Sequence, residues 1–290
     1  MTPPPPPPIV DHIRARTSWR AFTGEALDLD TLSALRAAMA EAESRTPFGN
    51  HPRFEIITRA ESGNVDLSGM VTYGVIKNPP AFLVGAIARG PRDIEDFGFA
   101  FESILLKATE LGLGSCWLGG TFSRSRFARA IRLGDDESMP AISPIGRPTV
   151  SRALRDRAMR LFIGAPNRRR FGDIFFDETF DRPLSAEMVG PAHALALEMV
   201  RLAPSARNRQ PWRVIRRDKG QRFDLYLSRD SGLVSGVKPG GIDMARLDAG
   251  IAMCHFELTA RALGLNGAWK ESEEGAASTP AGCEFIASWN

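Results

Sequence analysis

The chain is poor in the residues that usually mark a catalytic centre. Its 290 residues include three cysteines, four histidines and two tyrosines. Cys116, Cys254 and Cys283 form no paired-spacing motif, which leaves neither a disulfide framework nor a zinc site. The histidines are scattered, with no H-E-x-x-H. Long apolar runs are missing too. The stretch AFLVGAIA at 81–88 is far too short to span a bilayer. The opening MTPPPPPPIV lacks the basic and apolar regions of a secretory signal, so a cytoplasmic protein is expected, with no membrane association. The formal net charge of +3 argues against wholesale binding to nucleic acid, although the pI is about 9.0.

What remains is ordinary globular usage, 43% hydrophobic and 24% charged, enough for a sizeable core. The proline run favours an extended polyproline II tail over residues 1–8. Arginines cluster in RARTSWR (14–20), SRSRFARAIR (123–132), SRALRDRAMR (151–160) and NRRR (167–170). A guanidinium fork holds phosphate oxygens in bidentate fashion, so such clusters suit a phosphate. For 151–160 a solvated helical face is the preferred reading. The stretch LAPSARNRQPWRVI (202–215) follows a helix-periodic segment and precedes alternating apolar residues. It reads as a helix-to-strand loop, with Pro204 ending the helix.

Two segments are copies of one another. DFGFAFESILLKATELGLGSCW (96–117) and DAGIAMCHFELTARALGLNGAW (248–269) share nine identities in 22 ungapped positions. Among them are Asp96/Asp248, Gly112/Gly264 and Trp117/Trp269. Each reads as a helix ending at a C′ glycine. A fainter pair is RTPFGNHPRFEIITR (45–59) with RLAPSARNRQPWRVIRR (201–217), both placing Pro, Asn and Pro before a strand. The order in each half is helix, Pro/Asn loop, two strands, long helix, Gly-Leu turn. The expected organisation is a tail at 1–8, one half at 9–175 and a shorter, degenerate half at 176–290. A duplicated unit of this kind descends from a homodimer with its site at the two-fold interface.

Several motifs resemble those of the nitroreductase-like flavin family in order and spacing over most of the chain. APSARNRQPW resembles its APSxxNxQPW loop, and RTSWRAF (16–22) its RRSxRxF segment. GLGSCWLGG (112–120), SPIGRPT (143–149) and RRFGDIFF (169–176) resemble its Gly-Leu turn, its PIGxP strand end and the segment closing its FMN phosphate site. Phe171 stands where the family's RKP-like segment has proline. The family ordinarily forms homodimers with one FMN per interface, whereas this chain carries both halves itself. The resemblance implies an α+β nitroreductase-like fold: two diverged α/β halves forming an intramolecular pseudo-dimer around antiparallel-rich sheets, monomeric or weakly homo-oligomeric.

The same resemblance implies FMN as cofactor, NAD(P)H as electron donor and a small-molecule electron acceptor, with ping-pong turnover. FMN carries the chemistry, so no general base or covalent nucleophile is required. Arg16, Thr17, Ser18 and Arg20 lie on an extended segment where residues two apart point the same way. Arg16 and Arg20 belong by resemblance near the N1–C2=O edge or the ribityl chain, and Ser18 near ribityl or phosphate oxygens. Arg168, Arg169 and Arg170 are phosphate candidates, Arg169 first. Pro204, Ser205 and Ala206 pack by the flavin ring, while Asn208 and Gln210 hold that loop's backbone. Gly119 and Gly120 allow backbone N–H groups to approach N5, because no Cβ intervenes. Tyr73 and Gly74 fall in the region that contacts the pyrimidine edge.

A mirror-related second site would use the segment near 174–180, IFFDETF, and the loop at 46–54, which begins TPFGNHP and lacks the Ser-Ala pair. Counting back from Phe180 as the match to Phe22, Glu178 stands for Arg20 and Phe176 for Ser18. A like charge facing an anionic cofactor is unfavourable. One FMN per chain is therefore expected. The competing expectations are a flavin-binding protein of the same fold without turnover, and a scaffold that has lost its flavin.

Overall fold

The computed structural model describes residues 5–59, 76–149, 167–229 and 241–290. They fall into two compact units, Ala15–Gly164 and a second formed by Met1–Arg14 with Ala165–Asn290. A short helix, α1 (Pro8–Ala15), opens the described chain and buries Val10 and Ile13. Proline suits its first turn, where an N–H would lack a helical partner in any case.

In the unit Ala15–Gly164, α2 (Leu29–Ser44) begins where the Asp28 side chain accepts from the Thr31 N–H at 2.7 Å. It buries Leu32, Leu35, Met39 and Ala42, one face at helical spacing. The strands follow as β1 (Arg53–Thr58) and β2 (Ala81–Ala88). The apolar run 81–88 is this central strand, buried along its whole length except Ala88 and flanked by antiparallel neighbours. Next come α3 (Asp93–Glu110), β3 (Gly114–Ser115), α4 (Arg124–Ala130), β4 (Glu137–Ser138) and β5 (Ile142–Gly146). The sheet order is β1-β2-β5-β3, with β4 also on β2. Helix α3 presses Phe97 and Phe101 onto the sheet, and a Cβ at Gly85 would fall 2.7 Å from the Phe97 ring.

The second unit holds β6 (Phe175–Asp177), β7 (Thr179–Pro183), α5 (Pro191–Leu202), β8 (Trp212–Arg217), β9 (Arg222–Ser228), α6 (Met244–Ala262), β10 (Trp269–Lys270), α7 (Glu273–Ala277) and β11 (Cys283–Trp289). Its sheet order is β10-β11-β9-β8-β6-β7. Within it, β8-β9-β11-β10 repeats the order β1-β2-β5-β3, with α6 in the chain position of α3 and every pairing antiparallel. The fold is α+β, and the internal repeat of the sequence is a repeat of structure.

The matched residues do matching work. Gly112 and Gly264 sit at φ +73° and +76°, the left-handed conformation that ends a helix. Leu113 and Leu265 then donate N–H bonds back to Ala108 and Ala260, each at 2.9 Å. At the other end of each helix the shared aspartate holds the Pro/Asn loop. Asp96 accepts from the backbone of Phe48 and Asn50 and from Asn50 Nδ2, all at 2.9 Å. Asp248 accepts from the Ala206 N–H at 3.0 and 3.1 Å. Burial pushes both carboxyls up, Asp96 to about 6 and Asp248 well above the usual range, against the downward pull of these N–H groups.

The register counted back from Phe180 does not hold. Ser18 forms a parallel bridge to Ser115 in β3, whereas Phe176 pairs with Ile215 of β8, the counterpart of β1. The two segments therefore lie along different strands of the repeat. Glu178 adopts φ +61°, and its carboxylate accepts from the Lys219 N–H at 3.2 Å. It is a turn residue tied to its own sheet and not a stand-in for Arg20. Phe180, the residue matched to Phe22, packs with Phe176 on the Tyr226 cluster.

Candidate active site

In the unit Ala15–Gly164, residues 16–22 run extended along the sheet edge. Trp19 N–H donates to Ser115 O at 2.8 Å, and Lys77 N–H donates to Arg20 O at 2.8 Å. Ala21 bridges Lys77 and Phe22 bridges Pro148. Two aromatics anchor the segment. Phe22 is buried in the core, and Trp19 lies so close over Gly114 that a Cβ there would sit 2.9 Å from it. Thr17, Ser18 and Arg20 are half-buried beside them.

The Arg16 side chain has 6% of its surface exposed. Its Nε lies 3.4 Å from Oε1 of Glu102, a fully buried carboxylate on α3. The other oxygen of Glu102 accepts from Trp117 Nε1 at 2.6 Å. Arg16 Nη1 is buried and has no hydrogen-bond partner among the described residues, and the same is true of Ser115 Oγ, on the residue bridged to Ser18. A guanidinium N–H left dry and unpaired is costly, so these donors fit an acceptor supplied by a ligand.

Gly119 and Gly120 follow Leu118, which exchanges backbone hydrogen bonds with Ile142. Arg124 clamps the turn, donating to Gly119 O at 2.7 Å and to Met139 O while lying over the Phe122 ring. Burial pushes its guanidinium pKa down. Gly120 is exposed, and a Cβ there would meet no atom within 4 Å. Packing within the chain does not require glycine at this place, which fits a close approach by a ligand. Tyr73 and Gly74 lie outside the described residues, as does the cluster 151–160.

In the second unit the loop after α5 is held from all sides. Ser205 Oγ accepts from the Gln210 N–H at 2.9 Å, and Ser205 O from the Asn208 N–H at 2.9 Å. Arg207, Asn208 and Gln210 all take positive φ. Arg168 reaches across this loop, donating to Ala203 O and Leu202 O at 2.9 Å and to Asn208 Oδ1 at 2.7 Å. It closes the last turn of α5, where carbonyls lack helical partners. Asn208 Nδ2 donates to Asn167 O, and Gln210 Oε1 accepts from the Arg169 N–H at 2.8 Å. Pro204, Ser205 and Ala206 thus sit on a frame made by Arg168, Asn208, Gln210 and Asp248.

Arg169 and Arg170 are exposed. Close to Arg169 is Arg213, a residue the motif comparison passed over because it falls just beyond QPW. It alternates on β8 with the buried Trp212 and Val214, and that alternation was its sequence signal. Its pKa falls to about 10, through burial and then through Arg169 beside it. Among the described residues no carboxylate forms an ion pair with Arg169 or Arg213, although Asp173 acts on Arg213 from a distance, and Arg213 Nη1 donates to Gln210 O at 3.1 Å and to Trp212 O at 2.6 Å. The described residues contain no cluster able to hold a metal and no helix long and apolar enough to cross a membrane.

Two copies of a four-stranded antiparallel order, each with one long helix at the same chain position, define an α+β protein with an internal repeat. A family model described as "Putative TM nitroreductase" matches residues 8–260, and the chain belongs to that family. A solved nitroreductase from Thermotoga maritima is similar at 20% identity and a TM-score of 0.60, with 97% of this chain and 91% of that one covered. A nitroreductase from Desulfovibrio desulfuricans, solved in complex with FMN, is similar at 24% identity and a TM-score of 0.40, covering 49% and 87%. An FMN-dependent nitroreductase from Clostridium difficile is similar at 23% identity and a TM-score of 0.39, covering 47% and 86%. No curated protein matches.

Proposed function

We propose that the chain is an FMN-dependent oxidoreductase that accepts hydride from NAD(P)H and passes the electrons to a small-molecule acceptor. The observation that carries this reading is the buried, unpartnered Nη1 of Arg16, on a segment bridged to β3, within a chain of the nitroreductase family. When bound, FMN supplies the hydride-accepting centre, so the residues need only bind, orient and exclude water. Arg16, Thr17, Ser18 and Arg20 meet its polar atoms, and the cationic groups favour the anionic reduced form. The backbone of Gly119 and Gly120 approaches the reactive face. In the second unit, Arg169 and Arg213 would suit a phosphate, and Arg168 and Asn208 fix the loop carrying Pro204, Ser205 and Ala206, which the family resemblance assigns to a flavin.

The test is the visible spectrum of the purified protein, with flavin quantified after denaturation. About one FMN per chain and bleaching by NADH or NADPH are expected. No flavin, even after incubation with FMN, would sink the proposal. Bound FMN that neither nucleotide bleaches would point instead to a flavin-binding protein without turnover.

A further inference from the structure

Glu102 has no motif to explain it, and burying a carboxylate is expensive unless its partners need it. The internal repeat supplies a control. In the ungapped match, Glu102 corresponds to Cys254, and both are fully buried on the matching helices α3 and α6. The tryptophans also correspond. Trp117 donates its indole N–H to Glu102, but Trp269 donates to the Met253 carbonyl at 3.2 Å. The second copy therefore builds the same helix and seats the same indole with no carboxylate at this position. In the first copy the carboxylate also pairs with Arg16.

We propose that Glu102 is the positioning residue for Arg16. One carboxylate oxygen is fixed by Trp117, and the other takes the Nε edge of the guanidinium. The remaining Nη1 donor is thereby held, dry and unpaired, for an oxygen of the bound cofactor. The proposal rests on FMN being that cofactor.

The experiment is a double-mutant cycle read as the FMN dissociation constant of the full chain, by flavin fluorescence, with circular dichroism and the melting midpoint as fold controls. Arg16→Ala is expected to weaken FMN by about 10–100-fold, the worth of a charge-assisted hydrogen bond. Glu102→Gln is expected to weaken it about tenfold, because an amide cannot accept from both Trp117 and Arg16. The double variant is expected to bind no worse than Arg16→Ala alone. Glu102→Cys, the residue of the matching copy, is expected to fold and to behave like Glu102→Gln.

Additive losses, or wild-type affinity in Glu102→Gln, would overturn the proposal. So would failure of both Glu102 variants to fold, which would make the residue structural. Failure of the wild-type chain to bind FMN would overturn the proposed function instead, and that outcome is read before any variant is made.

Discussion

Gly114 and Gly120 stand six residues apart in one glycine-rich stretch and answer to different causes. At Gly114 the constraint is internal, since Trp19 occupies the space of a side chain. Alanine there is expected to push Trp19 and the 16–20 segment off β3. The cost is about 1–3 kcal/mol of stability, with FMN affinity lost alongside. At Gly120 nothing in the chain opposes a methyl group. Gly120→Ala is expected to leave the melting midpoint within the ~0.5 kcal/mol range of a neutral surface change while weakening FMN binding. Thermal melts and flavin titration of the two variants separate these cases. A similar division runs through the arginine run. Arg168 caps α5, and Arg168→Ala should cost about 1.5–3 kcal/mol in urea unfolding. Arg169→Ala should leave stability unchanged, weaken FMN about tenfold and flatten the salt dependence of its binding. Sequence pattern could point to NRRR as a phosphate cluster. It could not say which guanidinium was already bound to carbonyls 34 and 35 residues away.

The long helices were the most legible elements, because 3.6-residue periodicity and a terminal glycine are local signals. The aspartates at their heads were visible as identities, but their task was not, since each acts on a loop more than 40 residues upstream. Strand β6 was misplaced for the same reason: one phenylalanine, Phe180, was matched to Phe22, while the strand's partner, β8, is settled only by the tertiary fold. The aspartate clasp makes a prediction about pH. Asp96 moves from 3.8 in a free chain to about 6 when buried. Between those values the folded state keeps a proton that the unfolded chain has released, so this group's contribution is present below pH 3.8 and is lost as pH rises through 6. The full change is about 3 kcal/mol. Asp96→Asn cannot titrate. The difference in unfolding free energy, wild type minus variant, is therefore expected to fall by about that amount between pH 3.5 and 7. A flat difference across urea melts in that range would show that the clasp does not titrate as its burial requires.

At the scale of the whole chain, the duplication explains how the two units came to share a strand order and why they differ in side chains. The copy in Ala15–Gly164 carries Arg16, Glu102 and the glycine turn, and the other carries the Ser205–Ala206 loop and the Arg169–Arg213 pair. The proposed function carries a consequence that stability can report. A ligand that binds only the folded chain stabilises it by ~2.7 kcal/mol at a free concentration 100 times its dissociation constant. Added FMN is expected to raise the melting midpoint of the flavin-stripped protein accordingly. Under the same conditions, hydrogen exchange is expected to slow both at Gly119–Gly120 and at Ser205–Ala206. Protection gained at only one of the two segments would assign the cofactor to a single unit, and the surviving half of the duplicated site would then have to be sought within that unit alone.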